Sequence, residues 1–92
     1  YDIIEVVSGS DGFFIITGDH VSEFPVDDTI IVSGSTGNDG TYTIVWNMTD
    51  AGKTYIFVLE NVPSAVADGQ LKSGLTPLLS KFMISHKLNL QF

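Results

Sequence analysis

Side chains able to carry a proton, hold a metal or attack a bond are few in this chain. It has two histidines, His20 and His86, no cysteine, and eleven acidic residues against four basic ones. A hydrolytic centre needs a nucleophile, a base and a group that orients the base, all converging in space. His20 follows Gly18-Asp19 in a polar connection and reads as a turn residue whose ring packs on Phe24. His86 falls on the apolar side of an alternating stretch and reads as a core or interface residue with its ring nitrogens satisfied locally. Asp27-Asp28, Asp39 beside Asn38, and Asp50 would hold a hard cation such as calcium only if loops gathered them. No D-x-[DN]-x-[DN]-G pattern occurs, so turn aspartates capping backbone amides are the expected role, Asp39 within its own turn. No catalytic residue, no cofactor-binding residue, no metal ligand and no cofactor is assigned.

Two other features invite a ligand. The glycine-rich stretch at 33–43 has no lysine of the phosphate-binding kind, joins two strand patterns and is not followed by a helix, which sets nucleotide binding aside. Tyr1, Tyr55 and Trp46 could stack on sugar rings. Trp46 is expected in the core instead, because Tyr42, Ile44 and Met48 share its side of an alternating run.

The elements that would position these residues are strands. Residues 3–7 are short and β-branched, residues 8–12 read as a turn, and residues 13–17 form a second strand that is apolar on both sides. Two-sided apolarity puts one side against the core and the other against a partner or a further layer; a closed small barrel with a thick core is the preferred reading. Residues 20–28 cross an end of the sheet with Phe24 tucked inward, since Pro25 holds Phe24 extended. Residues 30–33 are a strand. Gly34, Gly37, Gly40 and Asn38-Asp39 then make a reversing connection into residues 41–48, where Tyr42, Ile44, Trp46 and Met48 alternate with Thr41, Thr43, Val45 and Asn47. After a turn at 49–53, residues 54–60 alternate again and pair with 41–48 as an antiparallel hairpin. Residues 61–69 form a loop over the barrel mouth, with room for a short helical turn at 64–67, and residues 70–73 suit a short strand before a break at 74–77. Residues 81–92 alternate without interruption, with Phe82, Ile84, His86, Leu88, Leu90 and Phe92 on one side and Lys81, Met83, Ser85, Lys87, Asn89 and Gln91 on the other. That pattern predicts a long C-terminal strand.

Ninety-two residues with 43% hydrophobic and 11% aromatic content supply one modest core. The net charge of −7 repels phosphate backbones and anionic lipid, so neither nucleic acid nor membrane is an expected partner. Without cysteine the fold is indifferent to redox compartment. The opening at Tyr1 without methionine marks a processed product or a part of something longer. No apolar run approaches the ~18 residues of a membrane span, and no signal peptide is visible. The fold class is therefore all-β, a small antiparallel β-barrel or sandwich of five to seven strands, with residues 1–76 as the module and 77–92 as an assembly or attachment segment.

The succession Ile16-Thr17-Gly18-Asp19-His20, Phe24-Pro25, residues 30–44 with Gly-Ser-Thr-Gly-Asn-Asp-Gly-Thr-Tyr-Thr at 34–43, Ile56-Phe57-Val58, Val62-Pro63 and Ala67-Asp68-Gly69 resembles a small β-barrel module of tailed-bacteriophage virion structural proteins. The likeness covers residues 13–71. It departs at Asp27-Asp28, which stands where a glycine-containing turn is expected, and beyond Pro77, which lies outside the module. The resemblance implies a non-enzymatic virion component, a capsid decoration or a tail part, acting by multicopy assembly with itself or other virion proteins. On this reading Phe82, Ile84, His86, Leu88, Leu90 and Phe92 attach it by strand addition. The alternative is a carbohydrate-binding module that contacts a host surface glycan.

Overall fold

A computed structural model describes residues 1–74. It is all-β: β1 (Ile3–Val7), β2 (Phe13–Thr17), β3 (Thr29–Ser33), β4 (Gly40–Asp50), β5 (Lys53–Val58) and β6 (Gln70–Ser73), with a 3₁₀ turn at Val21–Glu23. The strands form one antiparallel sheet in the order β1-β2-β5-β4-β3-β6. The sheet curls into a half-barrel until its edge strands touch. Asp2 bridges Gln70, Ile3 N donates to Gly69 O at 3.0 Å, and Leu71 N donates to Tyr1 O at 2.9 Å. A second bridge, Gly9 to Val62, engages the far end of β1. An edge that pairs with the opposite edge offers fewer free backbone groups to another chain. The expected long C-terminal strand and the residues named on it, Phe82, Ile84, His86, Leu88, Leu90 and Phe92, lie outside the described residues.

Alternation builds the core. Phe14 and Ile16 of β2, Ile30 and Val32 of β3, Tyr42 and Ile44 of β4, Ile56 and Val58 of β5 and Leu71 of β6 point inward and pack with Ile3, Phe24 and Val62. Phe24 is 1% exposed, as its place before Pro25 predicts, and plugs an end of the half-barrel. Removing a ring buried to this degree costs about 3–5 kcal/mol.

The glycine-rich connection between β3 and β4 sets the register Thr29 to Thr43 through Val32 to Gly40. It is held at three points. Ser35 N donates to Asp39 Oδ1 at 2.8 Å, the within-turn role expected of Asp39. Thr36 donates to Asp68 from N at 2.8 Å and from Oγ1 at 2.7 Å. Asn38, fully buried, exchanges two hydrogen bonds with the backbone of Ser64. Residues 64–67 are thus an irregular strap over the connection and form no helical turn. Gly69 completes the lock: a Cβ there would lie 2.7 Å from Ser33 O and 2.8 Å from Ser35 Cα, at φ +82.

The structure corrects two placements. Tyr42 and Ile44 face inward, but Trp46 is 60% exposed and Met48 is also exposed. Ile44 pairs with Val58 while Trp46 pairs with Phe57, so Val45 is an extra residue on β4, a β-bulge. An inserted residue reverses the parity of everything after it. Asn47 takes the inward position instead, and its amide donates to Phe24 O and, at 3.4 Å, to Val21 O. The bulge thereby ties β4 to the crossing segment. The second correction is His20, whose ring lies 4.2 Å from that of Tyr1; Tyr1, not His20, makes the edge contact with Phe24.

Candidate functional site

Among the described residues, the side of the sheet turned away from the core carries two rows of largely apolar side chains. Register aligns Val7, Phe13, Phe57 and Trp46 in one row across β1, β2, β5 and β4. The next row reads Glu5, Ile15, Tyr55 and Met48. With strands about 4.8 Å apart, each row runs roughly 14 Å across four strands. Phe13 stacks against Phe57 with centroids 4.6 Å apart and against Tyr55 at 6.0 Å. Ile15, the register partner of Tyr55, lies outside the core cluster yet is 3% exposed.

Trp46 ends the first row beside a hollow of about 170 Å³ lined by Asp11, Gly12, Val45, Trp46, Phe57 and Val58. Small-molecule sites usually run about 300–1,000 Å³. The hollow is therefore of a size for one side chain or one sugar ring. Asp11 is the charged residue of its lining, and Lys53 pairs with Glu5 at 3.2 Å on the margin of the second row.

Elsewhere titratable groups meet in pairs and threes. Tyr1 Oη donates to Glu23 Oε1 at 2.5 Å, and His20 Nδ1 lies 2.9 Å from Glu23 Oε2. The Tyr1 hydroxyl bond, then the His20 bond, hold the Glu23 carboxyl below its ordinary pKa, and the same bond raises that of Tyr1. With both oxygens engaged and its basicity lowered, Glu23 is a clamp on the crossing segment and a poor proton acceptor. Glu60 receives Thr43 N at 2.7 Å and Thr43 Oγ1 at 2.8 Å. Burial acts to raise its pKa, but these bonds outweigh burial and leave it lowered. Asp68 is lowered by the Thr36 backbone and hydroxyl bonds. Burial, then the charges of Asp39 and Glu60, raise the pKa of the Tyr42 hydroxyl, which donates to Asn38 O at 2.7 Å.

Among the described residues no group of three or more His, Cys, Asp or Glu side chains is placed to hold a metal ion, and no helix is long and apolar enough to cross a membrane. Asp27-Asp28, Asp39 and Asp50 lie in three separate places, the first before β3, the second before β4 and the third as the last residue of β4. Of the aromatics named as a sugar platform, Trp46 and Tyr55 share the outer face, while Tyr1 stands with His20 and Glu23. The outward placement of Phe13 was signalled in sequence by the two-sided apolarity of residues 13–17. No family model, no curated protein and no solved structure matches the chain.

Proposed function

We propose that the chain is a non-enzymatic structural protein of a virion, a capsid decoration or tail component, that works by multicopy assembly and makes its contacts through the outer face of β2, β5 and β4. The observation that carries this reading is the row Val7, Phe13, Phe57 and Trp46, four apolar side chains in register on four neighbouring strands and turned away from the core. A contiguous apolar surface rimmed by charge is the usual form of a protein contact, and Trp is among the residues that dominate such contacts. The resemblance of residues 13–71 to a virion module supports the setting. The net charge of −7 favours protein partners over nucleic acid or lipid. Trp46→Asp, expressed in place of the wild-type chain, should leave the protein folded and absent from purified particles. Normal incorporation of that variant would overturn the reading.

One observation favours a second reading. Trp46 stands exposed beside a hollow whose lining includes Asp11, and an aromatic plane next to an acidic residue is a combination suited to a sugar ring. Binding to a host surface glycan would then depend on Asp11 as much as on Trp46, and calorimetric titration of Asp11→Asn with that glycan separates the two readings.

A further inference from the structure

We infer that Asp11 is a site of spontaneous backbone modification: of the chain's three Asp-Gly pairs, it is the one the fold leaves free to close to a succinimide and reopen as isoaspartate. The pairs are Asp11-Gly12, Asp39-Gly40 and Asp68-Gly69. In such a pair the glycine nitrogen attacks the aspartate Cγ, and glycine has no side chain to block the approach. The N–Cγ bond forms, the Cγ–OH bond breaks, and the amide hydrogen leaves with the hydroxyl as water. Water then adds to one of the two ring carbonyls. Opening at the former main-chain carbonyl routes the backbone through Cγ, which restores mass and charge and lengthens the backbone by one carbon.

Ring closure requires the carboxyl group to swing onto the next nitrogen, and the fold resists this unequally at the three pairs. Asp68 is held twice, Oδ1 accepting from Thr36 N at 2.8 Å and Oδ2 from Thr36 Oγ1 at 2.7 Å. Those bonds also keep its carboxyl below the ordinary pKa, and the ionised group is a poorer electrophile than the acid. Gly69 is wedged as well, since a Cβ there would lie 2.8 Å from Ser35 Cα. Asp39 is held once, Oδ1 accepting from Ser35 N at 2.8 Å, and Gly40 is fixed in register with Val32 as the first residue of β4. Asp11 is exposed in the turn between β1 and β2, and among the described residues its side chain takes part in no hydrogen bond or ion pair. Gly12 N donates to Gly9 O at 3.2 Å, the long end of the usual range. Closure at Asp11 gives up that one long bond. Closure at Asp68 gives up both carboxylate bonds, and closure at Asp39 gives up a carboxylate bond at the start of β4.

The product does not fit where the aspartate did. Gly12 is buried, and a Cβ on it would lie 2.7 Å from Val62 Cγ2 and press on Val7 O. An extra backbone carbon immediately before Gly12 pushes it off this seat. Asp11 and Gly12 line the hollow beside Trp46, so the modification alters one edge of the outer face.

The full-length protein, aged at neutral pH and 37 °C, tests this. Chymotryptic digestion separates the three pairs, and electron-transfer fragmentation, together with methyl transfer by protein-L-isoaspartate methyltransferase, reads isoaspartate in each. It should accumulate at Asp11 several-fold faster than at Asp39 or Asp68. In urea, where the fold no longer discriminates, the three rates should converge. Thr36→Val, which frees one Asp68 oxygen, should raise the rate at Asp68 alone. Aged wild type should show altered Trp46 emission, and aged Asp11→Glu, whose longer side chain cannot close the five-membered ring, should not. Equal rates in the folded protein, faster reaction at Asp39 or Asp68, or no isoaspartate at Asp11 overturns the inference. Isoaspartate at Asp11 with unchanged Trp46 emission overturns the claimed effect on the hollow.

Discussion

The Asn38 side chain pairs with the Ser64 backbone as if it were a strand residue: Oδ1 accepts from Ser64 N at 2.9 Å and Nδ2 donates to Ser64 O at 2.8 Å. The glycine-rich connection is thereby locked to the strap at residues 64–69 without any strand pairing between them. Asn38→Asp keeps the shape and loses the donor, leaving Ser64 O opposed to a buried carboxylate. Leaving buried polar groups unpaired costs about 1–3 kcal/mol each. Urea denaturation of Asn38→Asp should show a loss of about 2–3 kcal/mol.

Trp46 behaves oppositely to a core tryptophan. A buried Trp→Ala change costs about 3–5 kcal/mol. Exposed as it is, Trp46→Ala should change stability by less than about 1 kcal/mol in the same denaturation experiment.

Asp27 adopts φ +79, a left-handed conformation, at the place where the resemblance calls for a glycine-containing turn. Non-glycine residues meet a steric penalty there of about 1–2 kcal/mol, partly cancelled by the chain entropy that glycine brings. Asp27→Gly should therefore raise stability by roughly 0.5–1 kcal/mol, seen as a higher thermal midpoint.

Glu60 and Asp68 set an acid limit. Both have folded pKa values held below the ordinary 4.5 and 3.8 by hydrogen bonds, so the unfolded chain binds protons more tightly than the folded one in this range. Their stabilisation is fully present above the ordinary values and is lost as pH falls through the depressed folded ones. Stability measured from neutral pH downward should decline across that window. The double variant Glu60→Gln, Asp68→Asn should be less stable at neutral pH and should decline less steeply.

Much of this architecture was legible because burial follows period two. Phe14 and Ile16, Ile30 and Val32, and Ile56 and Val58 all alternate into the core, and Pro25 marked Phe24 as the plug. The outer face departs from the period-two expectation at one residue. Val45 carries no turn chemistry, so nothing local announces the bulge, and a period-two reading carried through it places Trp46 and Met48 inside. The physical signal lay in pairing: Asn47 is the side chain that can satisfy the Val21 and Phe24 carbonyls, and that need comes from a segment over twenty residues away. His20 failed for a similar reason, since its stacking partner Tyr1 is brought near only when β1 and β6 meet.

Trp46 is the sole tryptophan of the chain and stands at the end of the outer row, so its emission reports the environment of the outer face directly. The decisive measurement is its emission maximum and iodide quenching in the full-length protein over a dilution series, with the mass followed in parallel by light scattering. Assembly through the outer face predicts blue-shifted, protected emission at high concentration, turning red and quenchable as the mass falls to one copy. Emission that stays red and quenchable while the mass is that of many copies would contradict the account.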